Sequence, residues 1–194
     1  MKIGLTGSIA CGKSTVSHYL RSLGYVVADA DAISRALTAA GGAALPHIRS
    51  TFGDSVFFPD GTLDRRTLGS IVFGDEQRRA ELNALLHPLI IGEVTAQVNS
   101  AEAKTGIAFA DIPLLYECGM ETHFDRIWVV SASRDTQIAR LFERDGLSPK
   151  EACARIDAQM PLDEKCKRAD AVITTEGTIL DTQAQIDRLL SILP

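Results

Sequence analysis

Gly7-Ser8-Ile9-Ala10-Cys11-Gly12-Lys13-Ser14, followed by Thr15, is the stretch on which the reading of this chain turns. It matches G-x-x-x-x-G-K-[ST] in full. The two glycines let the backbone wrap tightly, so that successive N–H groups face phosphate oxygens. A helix opening at Lys13 adds its positive dipole end. Lys13 suits the outer phosphates, and the Ser14 hydroxyl suits a Mg²⁺ position. The context fits: Ile3-Gly4-Leu5 is a short apolar strand leading in, and Val16, Tyr19, Leu20 and Leu23 keep helical spacing behind it. Tyr25-Val26-Val27-Ala28 reads as a second strand ending at Asp29. Strand, loop, helix and strand within about 30 residues make a βαβ unit, and so a parallel sheet.

The sequence has 194 residues, 45% of them apolar and 23% charged, with a formal net charge of −5. That length suits one domain with a sizeable insertion. An acidic chain argues against general nucleic-acid binding; a polyphosphate binder of this charge must gather its cations in one place. Cys11, Cys118, Cys153 and Cys166 form no C-x-x-C and have no zinc-pattern histidine, so free thiols in a reducing compartment are expected. Lys2 is followed at once by the first strand, so no apolar leader is expected. No stretch approaches the roughly 20 apolar residues of a membrane span. These features point to a soluble, cytoplasmic protein, expected to be a monomer without membrane or nucleic-acid partners.

Further strands are expected at Ile107–Ala110, before Asp111, at Ile127–Val130 and at Ala171–Ile173, with helices over roughly 134–145 and from Ile179. Residues 32–100 show no strand run. They read as helices broken by Gly41-Gly42, Pro46, Pro59-Asp60-Gly61 and Pro88. Ser148-Pro149-Lys150-Glu151 is a capping box that starts a helix near 149–158.

Ligands of a doubly wound sheet gather at the carboxyl ends of its strands. Asp29-Ala30-Asp31 ends the second strand; in an extended segment both carboxylates point the same way, and one can take a proton from an attacking hydroxyl. Helix capping is the plain alternative. Asp111 ends the third strand, where an acid that helps hold Mg²⁺ is expected. Arg140 and Arg144 share a helix face. With Arg155, Lys165, Lys167 and Arg168 they form either a cationic lid over a triphosphate or a solvated charged face. His87-Pro88 reads alone as a helix break, and the Cys11 thiol as incidental.

These segments together resemble the dephospho-coenzyme A kinase family over nearly the whole chain. The resemblance rests on Ile3-Gly4-Leu5-Thr6-Gly7, Asp29-Ala30-Asp31 with Arg35, Leu63-Asp64-Arg65 and Leu82-Asn83-Ala84-Leu85-Leu86-His87-Pro88. It continues through Asp111-Ile112-Pro113-Leu114-Leu115-Tyr116-Glu117, Gln137 with Arg140, Arg144-Asp145, Arg155 with Gln159-Met160-Pro161 and Lys165, and Ala169-Asp170-Ala171-Val172-Ile173. The loop is common to many families; the Asp-x-Pro-Leu-Leu-x-Glu block with His-Pro upstream is far more specific.

The resemblance implies an α/β P-loop three-layer sandwich. Its parts would be a core of residues 1–31, 105–145 and 166–194, a helical CoA-binding domain at 32–104, and a lid at 146–165. It implies transfer of the ATP γ-phosphate to the ribose 3′-hydroxyl of dephospho-CoA, giving CoA and ADP, with Mg²⁺ at Ser14 and Asp111. Asp31 is then the expected general base, with Lys13 and Arg140 catalytic. Gly7 to Thr15 and Arg144 would hold ATP; Asp29, Asp31, Arg35, Arg65, His87 and Leu114 would hold the acceptor. Three departures stand out. Ala10 replaces a frequent Gly, Ile91 a frequent Arg, and Thr174-Thr175 a frequent Asp-Asn, which leaves the adenine contacts open. Rival readings are another small-molecule P-loop kinase, or a nucleotide switch; a guanine switch would carry N-K-x-D, which is absent.

Overall fold

A computed structural model describes residues 1–194. Five short runs become strands: β1 Lys2–Gly7, β2 Val27–Asp29, β3 Ala108–Asp111, β4 Arg126–Ser131 and β5 Ala171–Thr174. They form one sheet in the order β2-β3-β1-β4-β5. β1 pairs in parallel with β3 (Leu5 opposite Asp111) and with β4 (Gly7 opposite Val130), and β4 pairs in parallel with β5. Parallel strands are covered on both faces and so read as continuous apolar runs. β3 is buried at all four positions and β4 at four of six.

Nine helices complete the chain: α1 Lys13–Ser22, α2 Ala30–Leu37, α3 Leu45–Phe52, α4 Arg65–Gly74, α5 Glu76–Thr105, α6 Arg134–Asp145, α7 Pro149–Asp157, α8 Leu162–Lys167 and α9 Ile179–Ser191. The chain divides into two compact units: Met1–Ala28 with Gln97–Pro194, and Asp29–Ala96. In the first, Ile3, Leu5, Val16, Leu20, Phe109, Trp128, Val130, Ile173 and Ile186 build the core between the sheet, α1 and α9. In the second, Ala44, Ile48, Phe52, Val56 and Leu68 form a separate core, with Leu82, Leu85 and Leu86 packed on it. The α/β architecture and parallel sheet match the fold read from the sequence.

Three expectations are corrected. β2 starts at Val27, two residues late; Tyr25 instead sets its ring edge-on to Phe109, centroids 5.4 Å apart. Pro46 opens α3 rather than breaking a helix, because first-turn N–H groups need no intrahelical partner. Pro88 lies inside α5 without ending it. A proline deletes one i→i−4 bond, and a helix of 30 residues keeps the rest.

Candidate active site

β1 ends at Gly7, and the chain turns through Ser8–Gly12 into α1. Space around Gly7 is filled: a Cβ there would lie 2.5 Å from Cys11 Sγ and 2.6 Å from the Val130 carbonyl. The Cys11 side chain is fully buried in the sheet core. Burial pushes its thiol above the usual range, against the pull of backbone amides and the Lys13 charge. Its side chain packs in the core beneath the loop. Gly12 adopts φ +85° to start the helix, a conformation that favours glycine. Ala10 adopts φ +58°, the only non-glycine residue in that region. A glycine would adopt this conformation without the steric cost that an alanine bears there.

Lys13 lies in the first turn of α1, and its Nζ donates to Asp111 Oδ1 at the end of β3. Ser17, one turn further along α1, donates to the other oxygen, Asp111 Oδ2. Asp111 is thus a buried carboxylate fixed by two side chains of one helix face. Ser17 was not visible as a site residue; its spacing four after Lys13 is the signal. Ser14, next to Lys13 in the chain, is exposed. No cluster of three or more His, Cys, Asp or Glu side chains able to hold a metal occurs. One carboxylate and one hydroxyl fit Mg²⁺, which keeps waters and takes phosphate oxygens rather than an all-protein cage.

The first residues of the loop are held from outside by two glutamines. Gln159 Oε1 accepts from Ser8 Oγ (3.0 Å) and from the Ile9 N–H (2.8 Å). Gln137 Nε2 donates to the Ile9 carbonyl (2.6 Å). Arg140 Nη2 donates to the Thr175 carbonyl (2.7 Å), while its Nη1 reaches Thr175 Oγ1 (2.9 Å) and the Ala10 carbonyl (3.2 Å). Glu176 then receives the Ser133 N–H (2.5 Å) and the Thr136 hydroxyl (2.9 Å) at the start of α6. Those donors hold its carboxyl below the usual range.

The expected cationic cluster does not form as one patch. Arg140 lies against the loop, and Arg144 pairs with Asp145 (2.8 Å), with Arg155 3.9 Å from the same carboxylate. Lys165 is fully buried: α8 turns it inward, where it pairs with Glu117 (2.8 Å) and donates to the Gly7 and Pro113 carbonyls (3.2 Å each). Lys167 pairs with Glu164, and Arg168 stacks on Tyr116 and pairs with Glu121. A cleft of about 520 Å³ adjoins the loop at Ser8 and Gln159. Its Arg134 and Asp157 neutralise each other through two bonds (2.7 and 2.9 Å). Its other charges, Asp163 and Glu176, are acidic, so it does not suit a triphosphate.

In the second unit, Asp29 is the N-cap of α2, its Oδ1 accepting from the Ala32 N–H (2.9 Å). Asp31 therefore stands in the first helical turn, not in an extended segment, and the same-face argument drawn from strand alternation does not hold. Its carboxylate and the Arg35 guanidinium are exposed. Arg65 is engaged within the unit: Nη2 donates to Thr38 Oγ1 (2.7 Å) and to the Thr38 and Arg35 carbonyls at the end of α2. His87 lies on α5 beside Pro88. Leu114, in the loop after β3 in the first unit, is an exposed apolar residue.

The model of the dephospho-CoA kinase family matches residues 1–181. The chain belongs to that family. A dephospho-CoA kinase of Symbiobacterium thermophilum is 49% identical over 187 residues, 95% of this chain and 78% of that one. Another, of Shouchella clausii, is 45% identical over 188 residues, 96% and 95% of the two chains. A solved Thermus thermophilus structure superposes with a TM-score of 0.85 at 35% identity, covering 100% of this chain and 98% of that one. The dephospho-CoA kinase of Campylobacter jejuni gives 0.68 at 28%, covering 98% and 95%. The chain is thus an ATP-dependent kinase that phosphorylates dephospho-CoA in the last step of CoA synthesis. No helix is long and apolar enough to cross a membrane.

Proposed function

We propose that the phosphates of ATP lie in the loop Gly7–Ser14, with Thr15 behind it, and that Lys13 exchanges Asp111 for the transferring phosphoryl group. The meeting of Lys13, Ser17 and Asp111 at the base of the loop carries this reading. A phosphoryl transfer asks the protein mainly for positioning and for charge stabilisation. Lys13 already reaches the carboxyl end of β3, where the acid belongs. Ser14 and Asp111 would hold Mg²⁺, which supplies positive charge to the phosphate oxygens when bound.

Asp31 takes the proton of the ribose 3′-hydroxyl in this reading. Asp29 is committed to its cap, whereas Asp31 offers an exposed carboxylate. A base needs to come within hydrogen-bond reach of the hydroxyl, and an exposed carboxylate can meet a substrate. The helical unit Asp29–Ala96 takes dephospho-CoA, with Arg35 and His87 on the acceptor side and Leu114 against its apolar parts. Arg65, tied to the end of α2, shapes that side by holding the helix. Residues 146–165 act as the lid, anchored by Gln159 on the loop, and Arg140 and Arg144 serve the phosphates.

A coupled ADP assay with dephospho-CoA, adenosine and AMP offered in parallel tests the assignment. Turnover is expected with dephospho-CoA alone. A rate no higher than the ATP-only blank overturns it.

A further inference from the structure

A phosphate loop works only if its amides face inward, and something must hold them there. A trans peptide sets the carbonyl of one residue opposite the N–H of the next, and no peptide in this chain is cis. Three successive loop carbonyls point outward to side-chain donors. Ile9 accepts from Gln137 (2.6 Å), Ala10 from Arg140 (3.2 Å) and Cys11 from Thr175 Oγ1 (2.8 Å). The N–H groups of Ala10, Cys11 and Gly12 are thereby turned to the opposite side. That of Cys11 closes a turn on the Ser8 carbonyl at 3.3 Å, which leaves Ala10 and Gly12 to face a ligand.

Thr175 is the hub of this scaffold. Its hydroxyl hydrogen goes to Cys11 O while its oxygen receives Arg140 Nη1 (2.9 Å), and its carbonyl receives Nη2 (2.7 Å). The side chain is buried, and it stands against Gly12: a Cβ on that glycine would lie 3.1 Å from Thr175 Cγ2 and Oγ1. One hydroxyl therefore fixes both the Cys11–Gly12 peptide plane and the aim of Arg140.

We propose that Thr175 is a positioning residue of the ATP site, acting through the Cys11 carbonyl and Arg140 to keep the Gly12 amide turned toward phosphate. This rests on ATP lying in Gly7–Ser14. Valine has the shape of threonine but cannot donate; serine keeps the hydroxyl. Thr175→Val raises KM for ATP about tenfold, the scale of one lost hydrogen bond to a carbonyl left without its donor. KM for dephospho-CoA stays within about twofold, and Thr175→Ser keeps both values within about twofold of the parent, because the hydroxyl survives.

Calorimetric titration of each variant with ADP should reproduce the fold-change in KM for ATP without relying on turnover. A parent-like KM for ATP in Thr175→Val overturns the proposal. Equal impairment of the Val and Ser variants also overturns it, since the methyl packing on Gly12 then matters and the hydroxyl does not. A parallel rise in both KM values points to general damage and overturns it too. If circular dichroism shows Thr175→Val unfolded, Thr175→Ala takes its place under the same criteria. A parent protein without dephospho-CoA-dependent ADP formation is a different result: it sinks the reading of the site rather than the role of Thr175.

Discussion

Lys165 and Glu117 form a 2.8 Å ion pair whose cation is fully buried under the first glycine of the phosphate loop. Glu117 Oε1 also accepts the Met160 N–H (3.1 Å), so one carboxylate joins the loop after β3 to the segment between α7 and α8. Lys165 adds the Gly7 and Pro113 carbonyls. Removing one partner of a buried pair strands the other, at a cost of about 3–5 kcal/mol. Lys165→Met should lower the melting temperature by about 10 °C for a domain of this size. Lys165→Met with Glu117→Gln should recover part of that loss. Scanning calorimetry of both reads the coupling; a single variant that melts with the parent would show that the pair contributes nothing.

The same principle applies at Asp111. This buried carboxylate is held by Lys13 and Ser17. Lys13→Ala should therefore act twice. It should lower kcat by about 10²-fold or more, the scale of losing one donor to the transition state. It should also destabilise the free enzyme, because Asp111 loses its cation. Adding Asp111→Asn should restore stability without restoring turnover. Steady-state rates and melts on the single and double variants separate the two effects, and unchanged turnover in Lys13→Ala removes the loop from the mechanism.

The loop, the parallel sheet and helices α6, α7 and α9 were legible because each has a local signature. Two glycines and a lysine, apolar runs and the Ser148–Glu151 capping box all speak within ten residues. The partners of Lys165 were not legible. Its charge grouped it with Arg155 and Lys167, but its pairing depends on Glu117 and Gly7, far away in sequence. Thr175 stands out in the sequence only as part of a departure from Asp-Asn; its partners were hidden for the same reason, since its hydroxyl meets Cys11 and Arg140 far away in sequence. Asp31 falls in a helix and not on the strand because Asp29 caps α2, which starts one residue later; of the two readings of Asp29-Ala30-Asp31, helix capping is the one that holds.

Ala10 and Gly12 make a contrasting pair. Both have positive φ, +58° and +85°. The left-handed conformation costs an alanine about 1 kcal/mol, while a glycine there loses about as much in chain entropy. Ala10→Gly should leave the melting temperature within about 2 °C of the parent. Gly12→Ala adds a Cβ 3.1 Å from Thr175 and 3.3 Å from Arg140 Nη1. It should melt lower by about 4 °C or more and lose ATP affinity. If the two variants lose equal stability, the crowding of Gly12 by Thr175 and Arg140 is not what distinguishes the sites.

Closure of residues 146–165 has its own readout. Arg144 and Arg155 both lie near Asp145. Engagement of phosphate by Arg144 should slow amide exchange over 140–165 when a non-hydrolysable ATP analogue is added, since opening of the segment then competes with binding. Identical exchange with and without the analogue argues for a solvated charged face instead.

Asp31 and Asp29 stand two residues apart and are predicted to behave differently. A ribose hydroxyl must lose its proton as the bond to phosphorus forms, and a loose transition state demands proximity of the base more than strength. Asp29 spends an oxygen on the Ala32 N–H, whereas Asp31 is exposed in the first turn of α2. Asparagine caps helices about as well as aspartate, so Asp29→Asn should keep α2 intact and perturb turnover little. Asp31→Asn should bind ATP as the parent does and lower kcat by about 10²-fold or more, the usual scale for a positioned base. KM for ATP should not move, because the base meets the acceptor and not the donor. The decisive measurement is kcat for both variants at saturating ATP and dephospho-CoA, with ATP affinity titrated separately. Parent-like turnover in Asp31→Asn passes the role to Asp29 or to the substrate's own phosphate. A loss confined to Asp29→Asn means that the capping carboxylate, through its second oxygen, is the group that meets the hydroxyl.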